Sequence, residues 1–261
     1  MTDVLILSYH AISDDWPAAL SVTPDALERQ VSALLERGYR PATVHDAIHA
    51  PPAPKTLALT FDDAYRSVLE LGLPVLARLG VPATVFAATD YIGSERPMVW
   101  PGIDNWVGGP HAAETMPLSW DELRSLAVAG WEVGSHTCSH PWLTGLSDEQ
   151  LQRELRTSRE RCEAELRGPC RSIAYPFGDH DDRVVAATAA AGYTAAVTVP
   201  DDLVEYGPLR WPRVGIYHHD GTALSFRAKV SPVVRALRRS PLAPPALRIV
   251  RRGLAAARSR R

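Results

Sequence analysis

Thr56-Leu57-Ala58-Leu59-Thr60-Phe61-Asp62-Asp63-Ala64-Tyr65 is an apolar run that ends abruptly in two adjacent carboxylates. Its β-branched and aromatic bias reads as a buried strand. Adjacent aspartates at a strand end point in different directions, so one can ligate a metal while its neighbour takes a proton from metal-bound water. Further along, Trp131-Glu132-Val133-Gly134-Ser135 repeats the pattern and runs into His136-Thr137-Cys138-Ser139-His140. Two histidines four residues apart can face one ion where the chain turns helically between them. An Asp-Asp pair alone commonly caps a helix, and His-x-x-x-His alone usually binds nothing. Two such clusters at two strand ends are much rarer.

Working outward, strand-like runs recur at 4–8, 56–61, 83–88, 131–135, 171–175, 194–199 and 213–217, with a weaker one at 39–44 that contains Pro41. Helix starts are legible between them. Thr23 precedes Pro24, and Ser119 with Glu122 and Ser147 with Gln150 have capping-box spacing. Gly38, Gly80, Gly130, Gly168 and Gly192 are placed to close helices in the left-handed conformation. Strands alternating with helices predict a parallel α/β sheet, which periodicity leaves either open or closed. His10, Asp62, Asp63, His136, Phe177 and His218 all fall at or just past C-terminal strand ends, where parallel α/β folds put their sites.

Thr60-Phe61-Asp62-Asp63, Ser135-His136-Thr137 with His140, and Tyr175-Pro176-Phe177-Gly178 together resemble the motifs of the polysaccharide deacetylase family, the NodB-homology carbohydrate esterases of family 4. The resemblance spans residues 4–220. It implies a distorted (β/α)7 barrel, with Asp62 as catalytic base and Asp63, His136 and His140 as ligands of a divalent metal. It also implies an oxyanion donor in the backbone amide of Phe177. Many members carry an arginine at the position of Ala174 to pair with the base. This chain has none, and Arg213 is the candidate replacement. The resemblance places the general acid on a histidine after the last strand, where His218 is the first candidate; His10, after the first strand, is a second candidate or a residue that orients the others. Two imidazoles and a carboxylate suit zinc, with cobalt or nickel able to substitute.

The activity implied is hydrolytic removal of an N-acetyl group from an amino sugar in a glycan, glycolipid or glycoconjugate precursor. Deformylation or cyclic-amide opening on the same fold is the alternative, as is a non-catalytic glycan-binding barrel. The segment 89–117, with Trp100 and Trp106, reads either as a substrate-binding lid or as a packed loop.

With 261 residues the chain can bury a large core as one catalytic domain, drawn at 1–220, followed by a basic tail at 221–261. Three cysteines and a start without a basic leader predict a reducing compartment, the cytoplasm. Cys138, between the two histidines, is expected to point away from them as an idle buried thiol. The net charge of -2 hides an asymmetry, because residues 221–261 hold eleven Arg or Lys and no acid while residues 1–220 hold 17 basic against 30 acidic residues. Residues 246–258 can form a helix with Leu247, Val250, Leu254 and Ala257 on one side, flanked by Arg248, Arg251, Arg252 and Arg258. Such a helix suits an anionic membrane surface, which would make the protein peripheral at the inner membrane face, or the acidic barrel itself. Nucleic acid is not expected as a partner, since no recognised binding module accompanies the charge.

Overall fold

The structure is a computed structural model describing residues 3–199 and 206–238. The chain begins with β1 (Asp3–Tyr9), the short pair β2 (Ala11–Ile12) and β3 (Ser21–Val22), and α1 (Pro24–Glu36). Then follow β4 (Arg40–Ala42), α2 (Val44–His49), β5 (Lys55–Phe61), α3 (Leu73–Leu79) and β6 (Thr84–Ala87). The second half comprises α4 (Trp120–Val128), β7 (Glu132–Ser135), α5 (Asp148–Leu166), β8 (Ser172–Ala174), α6 (Asp182–Ala190) and β9 (Ala195–Thr198). It closes with β10 (Trp211–Pro212), β11 (Val214–Gly215), α7 (Ala223–Val230) and α8 (Pro232–Arg238).

The main sheet runs β10-β9-β8-β7-β6-β5-β1-β11 with every pair parallel. Its two ends are one residue apart in sequence. Trp211 and Pro212 pair with Val197 and Thr198 of β9, Arg213 intervenes, and Val214 and Gly215 pair with Leu7 and Ser8 of β1. One segment therefore bonds to both edges and rolls the sheet into the barrel that the resemblance implies. The predicted strand 213–217 is thus a bent crossing that starts two residues earlier. The distortion has a visible cause. β4 takes Thr56 to Ala58 of β5, leaving only Thr60 and Phe61 to pair with β6. Pro41 is tolerated because β4 makes no second ladder among the described residues.

Parallel strands are covered on both faces, and the apolar residues sort accordingly. Ile6, Ala58, Phe86, Ala174 and Val197 fill the barrel, joined by Val44 and Ala47 of α2, which closes the N-terminal mouth. Gly134 is required there, because a Cβ would lie 2.6 Å from the Phe86 ring and from Ser172 Oγ. Leu27, Val31, Leu76, Leu123, Leu126 and Leu155 bring α1, α3, α4 and α5 onto the outer face. Phe226 and Val230 of α7 belong to the same core, and Arg235 of α8 reaches Asp3 at 2.8 Å.

Thr23, Ser119 and Ser147 cap their helices as predicted, the last two in complete capping boxes. Gly38, Gly80, Gly130 and Gly192 have positive φ. Gly168 does not: α5 ends at Leu166, so the left-handed position falls on Arg167 at φ 53°. Among the described residues no helix is long and apolar enough to cross a membrane. The predicted helix at 246–258 lies outside the described residues.

Candidate active site

The site grows from the end of β5. Thr60 Oγ1 donates to Leu7 O, and Asp62 N donates to Tyr9 O, so strand pairing to β1 holds up to the first aspartate. The backbone then turns left-handed at Asp63 (φ 71°) and Ala64 (φ 56°), which sends the two carboxylates to different partners. Asp62 faces Arg213. Nη1 donates to Oδ1 at 2.6 Å and Nη2 to Oδ2 at 2.8 Å, a two-pronged pair buried at the barrel closure. Ser8 Oγ lies 3.4 Å and His10 Nε2 3.9 Å from the same Oδ2. Burial works to raise the Asp62 pKa, but the charges of Arg213 and His136 outweigh it and hold the carboxyl below the usual range.

Asp63 faces two imidazoles instead. Its Oδ1 is 3.3 Å from His136 Nε2 and 3.4 Å from His140 Nε2, and this buried oxygen has no hydrogen-bond partner. The three side chains form the one group of potential metal ligands found among the described residues. They fit a divalent cation. His136 Nδ1 is 2.8 Å from Ala174 O, which fixes that nitrogen as the donor and leaves Nε2 free to ligate. Burial drives the His140 imidazole down to about 3, opposed in part by Asp63, so the ring is neutral as a ligand must be.

The histidine segment does not turn helically. Thr137 (φ 67°) and His140 (φ 60°) are left-handed, and the loop between them is tied to α5. Glu154, itself buried, accepts from Cys138 N at 2.8 Å, Ser139 N at 3.0 Å and Ser139 Oγ at 2.7 Å. A helical turn would spend those amides on its own carbonyls; here a carboxylate takes them. Cys138 points away from the ligands as predicted, with its Sγ 3.6 Å from Glu154 O, and burial pushes its thiol up to about 12.

Phe177 lies across the mouth with a left-handed backbone (φ 57°, ψ 6°). Gly178 follows at φ 67°, where a Cβ would lie 2.2 Å from Val199, so the turn tolerates nothing larger. The Phe177 ring meets His140 edge-on at 4.5 Å, while Trp100 stacks on that imidazole at 4.2 Å.

The sequence model described as polysaccharide deacetylase matches residues 49–196. The chain belongs to that family. It is 27% identical over 198 residues to YxkH of Bacillus subtilis, a protein that carries the family's name, covering 74% of this chain and 63% of that protein. It is 30% identical over 164 residues to the chitooligosaccharide deacetylase of Sinorhizobium fredii, covering 60% of each. The chain thus spans less than two thirds of the length of either relative. The Streptococcus pyogenes deacetylase PplD, solved with acetate, superposes with a TM-score of 0.74 at 23% identity over 88% of this chain and 99% of that one, a likeness of fold.

Asp62, Asp63, His136, His140, Arg213 and His10 therefore meet in one place, with Phe177 against His140. His218 does not join them. Its amide donates to Ala19 O, and Tyr217 N bonds to Asp220 Oδ2, which winds 218–220 into a short turn that leaves His218 and His219 exposed. Trp100 is 7% exposed and packed on a metal-ligand candidate, so at that residue 89–117 is a packed loop. Trp106 meets Trp16 edge-on at 5.7 Å. Glu154 was not anticipated, although the signal existed: it sits among Leu151, Leu155, Ser158 and Cys162 on the buried stripe of α5, where a charge needs a reason.

Proposed function

We propose that the protein is a metal-dependent hydrolase that removes an N-acetyl group from an amino sugar in a glycan, glycolipid or glycoconjugate precursor. The observation that carries this reading is the contrast between neighbours: Asp62 is locked to Arg213, and one residue on Asp63 turns an unpartnered oxygen towards two imidazoles. Asp63, His136 and His140 would hold a divalent ion, which would supply Lewis acidity for the scissile carbonyl and would acidify water enough for deprotonation near neutral pH. Zinc suits these ligands, with cobalt or nickel as substitutes.

Asp62 takes the proton of the attacking water, and Arg213 keeps that carboxylate ionised and fixed in orientation. The Phe177 amide donates to the developing oxyanion, a contribution of about 10²–10³ in turnover for such donors. His10 protonates the leaving amine. It is the histidine beside Asp62; burial lowers its pKa against the pull of Asp62 and Asp63, so its imidazolium, once formed beside those carboxylates, gives its proton readily to the amine. The odd count of three cysteines supports a reducing compartment, the cytoplasm. The catalytic unit is assigned to 1–220 and the basic segment, which packs on it through Phe226 and Val230, to 221–261.

The test is acetate release from N-acetylglucosamine oligomers by the purified protein. Release that a chelator abolishes and zinc restores supports the reading. Chelator-sensitive formate release or ring opening without acetate would replace it with the deformylase or cyclic-amide reading. Glycan binding with no hydrolysis of any kind would make the barrel a binding protein.

A further inference from the structure

Four aromatic rings lead from the candidate metal centre to the surface. Trp100 stacks on His140 at 4.2 Å and 18°, His140 meets Phe177 edge-on at 4.5 Å and 75°, and Phe177 stacks on Trp142 at 4.1 Å and 12°. Trp100 is buried and Phe177 half-buried, whereas Trp142 is 37% exposed. The other exposed large apolar residues described are Leu or Val. Trp142 is set apart by chemistry and by position.

It is also held in place. Trp142 opens the turn Leu143–Gly145, and the buried Asp179, two residues past Phe177, accepts from Thr144 N at 2.8 Å and from Thr144 Oγ1. That carboxylate clamps the Trp142 and Phe177 loops together, so the two rings stay stacked without substrate. A rigid indole whose position costs no further ordering is a good platform for a flat apolar partner. A pyranose offers such a partner in the C–H face of its ring. Two ring contacts, 4.5 Å and 4.1 Å, separate the indole from His140, so a sugar laid on its exposed part would neighbour one held at the metal.

We propose that Trp142 is the stacking platform for the sugar ring next to the one that loses its acetyl group. The preferred substrate is then an oligosaccharide or other glycosylated amino sugar, not a single sugar. This rests on the deacetylase reading above, and the experiment separates the two.

Acetate release from N-acetylglucosamine and from its dimer and tetramer is compared for the wild type, Trp142→Ala and Trp142→Phe, with metal content measured in each. In the wild type kcat/KM rises with chain length. In Trp142→Ala it falls about tenfold for the tetramer, the scale of one lost aromatic contact, through KM, with the monosaccharide rate and the metal content unchanged. Trp142→Phe retains most of the preference. An unchanged length dependence in Trp142→Ala, or an equal loss on all three substrates, overturns the platform. Release from any substrate by the wild type tests deacetylation separately. Should the wild type release none, calorimetric titration of the tetramer decides. Binding about tenfold weaker in Trp142→Ala supports the platform, and equal binding, or none by the wild type, overturns it.

Discussion

At the N-terminal mouth of the barrel, α2 fills the opening with Val44 and Ala47, and its first amides donate to Thr84 Oγ1 and Glu132 Oε2. At the C-terminal mouth, Asp63 Oδ1, His10 Nδ1 and His140 Nδ1 are buried with no hydrogen-bond partner. The backbone differs in the same sense. Of the six non-glycine residues with positive φ among those described, Asp63, Ala64, Thr137, His140 and Phe177 lie at the C-terminal mouth, leaving only Arg167 elsewhere. Left-handed backbone costs about 1–2 kcal/mol per residue. The N-terminal mouth packs and leaves one unpartnered buried atom on α2, His45 Nδ1, 3.5 Å from Asp46 Oδ1, while the C-terminal mouth spends stability to hold several unsatisfied groups in fixed positions. That asymmetry gathers left-handed backbone and unpartnered groups at the C-terminal mouth, which supports the proposed site without reference to any relative.

The comparison is most exposed at the barrel closure. Arg213→Ala strands a buried carboxylate, and calorimetry should show a loss of about 3–5 kcal/mol. Without the guanidinium, burial raises the Asp62 pKa unopposed by its main counter-charge. The base works only when ionised, so the acidic limb of the activity–pH profile moves to higher pH. An unmoved limb would show that Asp62 is not the base, or that Arg213 does not set its charge.

Glu154→Gln comes next. It weakens three hydrogen bonds to the histidine loop, at about 1–3 kcal/mol of stability. As a residue that orients the ligands it should also lower zinc affinity by about 10–100-fold in competition with a chelating dye. Lost stability with unchanged affinity would make Glu154 a purely structural residue. Glu132 is the matched control, accepting from His45 N, Thr84 Oγ1 and Ser172 Oγ at the opposite mouth. Glu132→Gln should cost about 1 kcal/mol and leave metal content and kcat alone. A fall in kcat would mean that the two mouths are coupled.

The smallest effect belongs to Ala64→Gly. Relief of the left-handed backbone, about 1–2 kcal/mol, is offset by greater unfolded-chain freedom and by the loss of a buried methyl, roughly 0.5–1 kcal/mol each. Thermal unfolding should move little. A large loss would show that the Ala64 methyl, not the backbone turn, is what the site needs.

Much of the C-terminal mouth was legible in sequence because its residues are local: Asp62 and Asp63 follow a strand in one apolar run, and His136 and His140 follow another. The pairing of Arg213 with Asp62 was also anticipated, from the absence of an arginine at 174. The structure gives the reason, since Ala174 faces the packed interior while its carbonyl serves His136. What stayed hidden depends on partners distant in sequence. Nothing near 137–140 says that Glu154 will claim the loop amides, so a helical turn looked sufficient. The bend that splits 211–215 between β9 and β1 is a property of closure, not of local propensity. The same holds for His218, whose outward turn is set by Tyr217 and Asp220, and for Trp100, whose stacking partner lies forty residues on.

In the proposed mechanism the adjacent aspartates are divided between base and ligand. Metal analysis after zinc loading, paired with acetate release, on wild type, Asp62→Asn and Asp63→Ala tests that division most directly. Wild type and Asp62→Asn should each carry about one ion per chain, with Asp62→Asn slower by roughly 10²-fold or more and Asp63→Ala folded but without the ion. Retention of the ion by Asp63→Ala, or its loss from Asp62→Asn, would contradict the account.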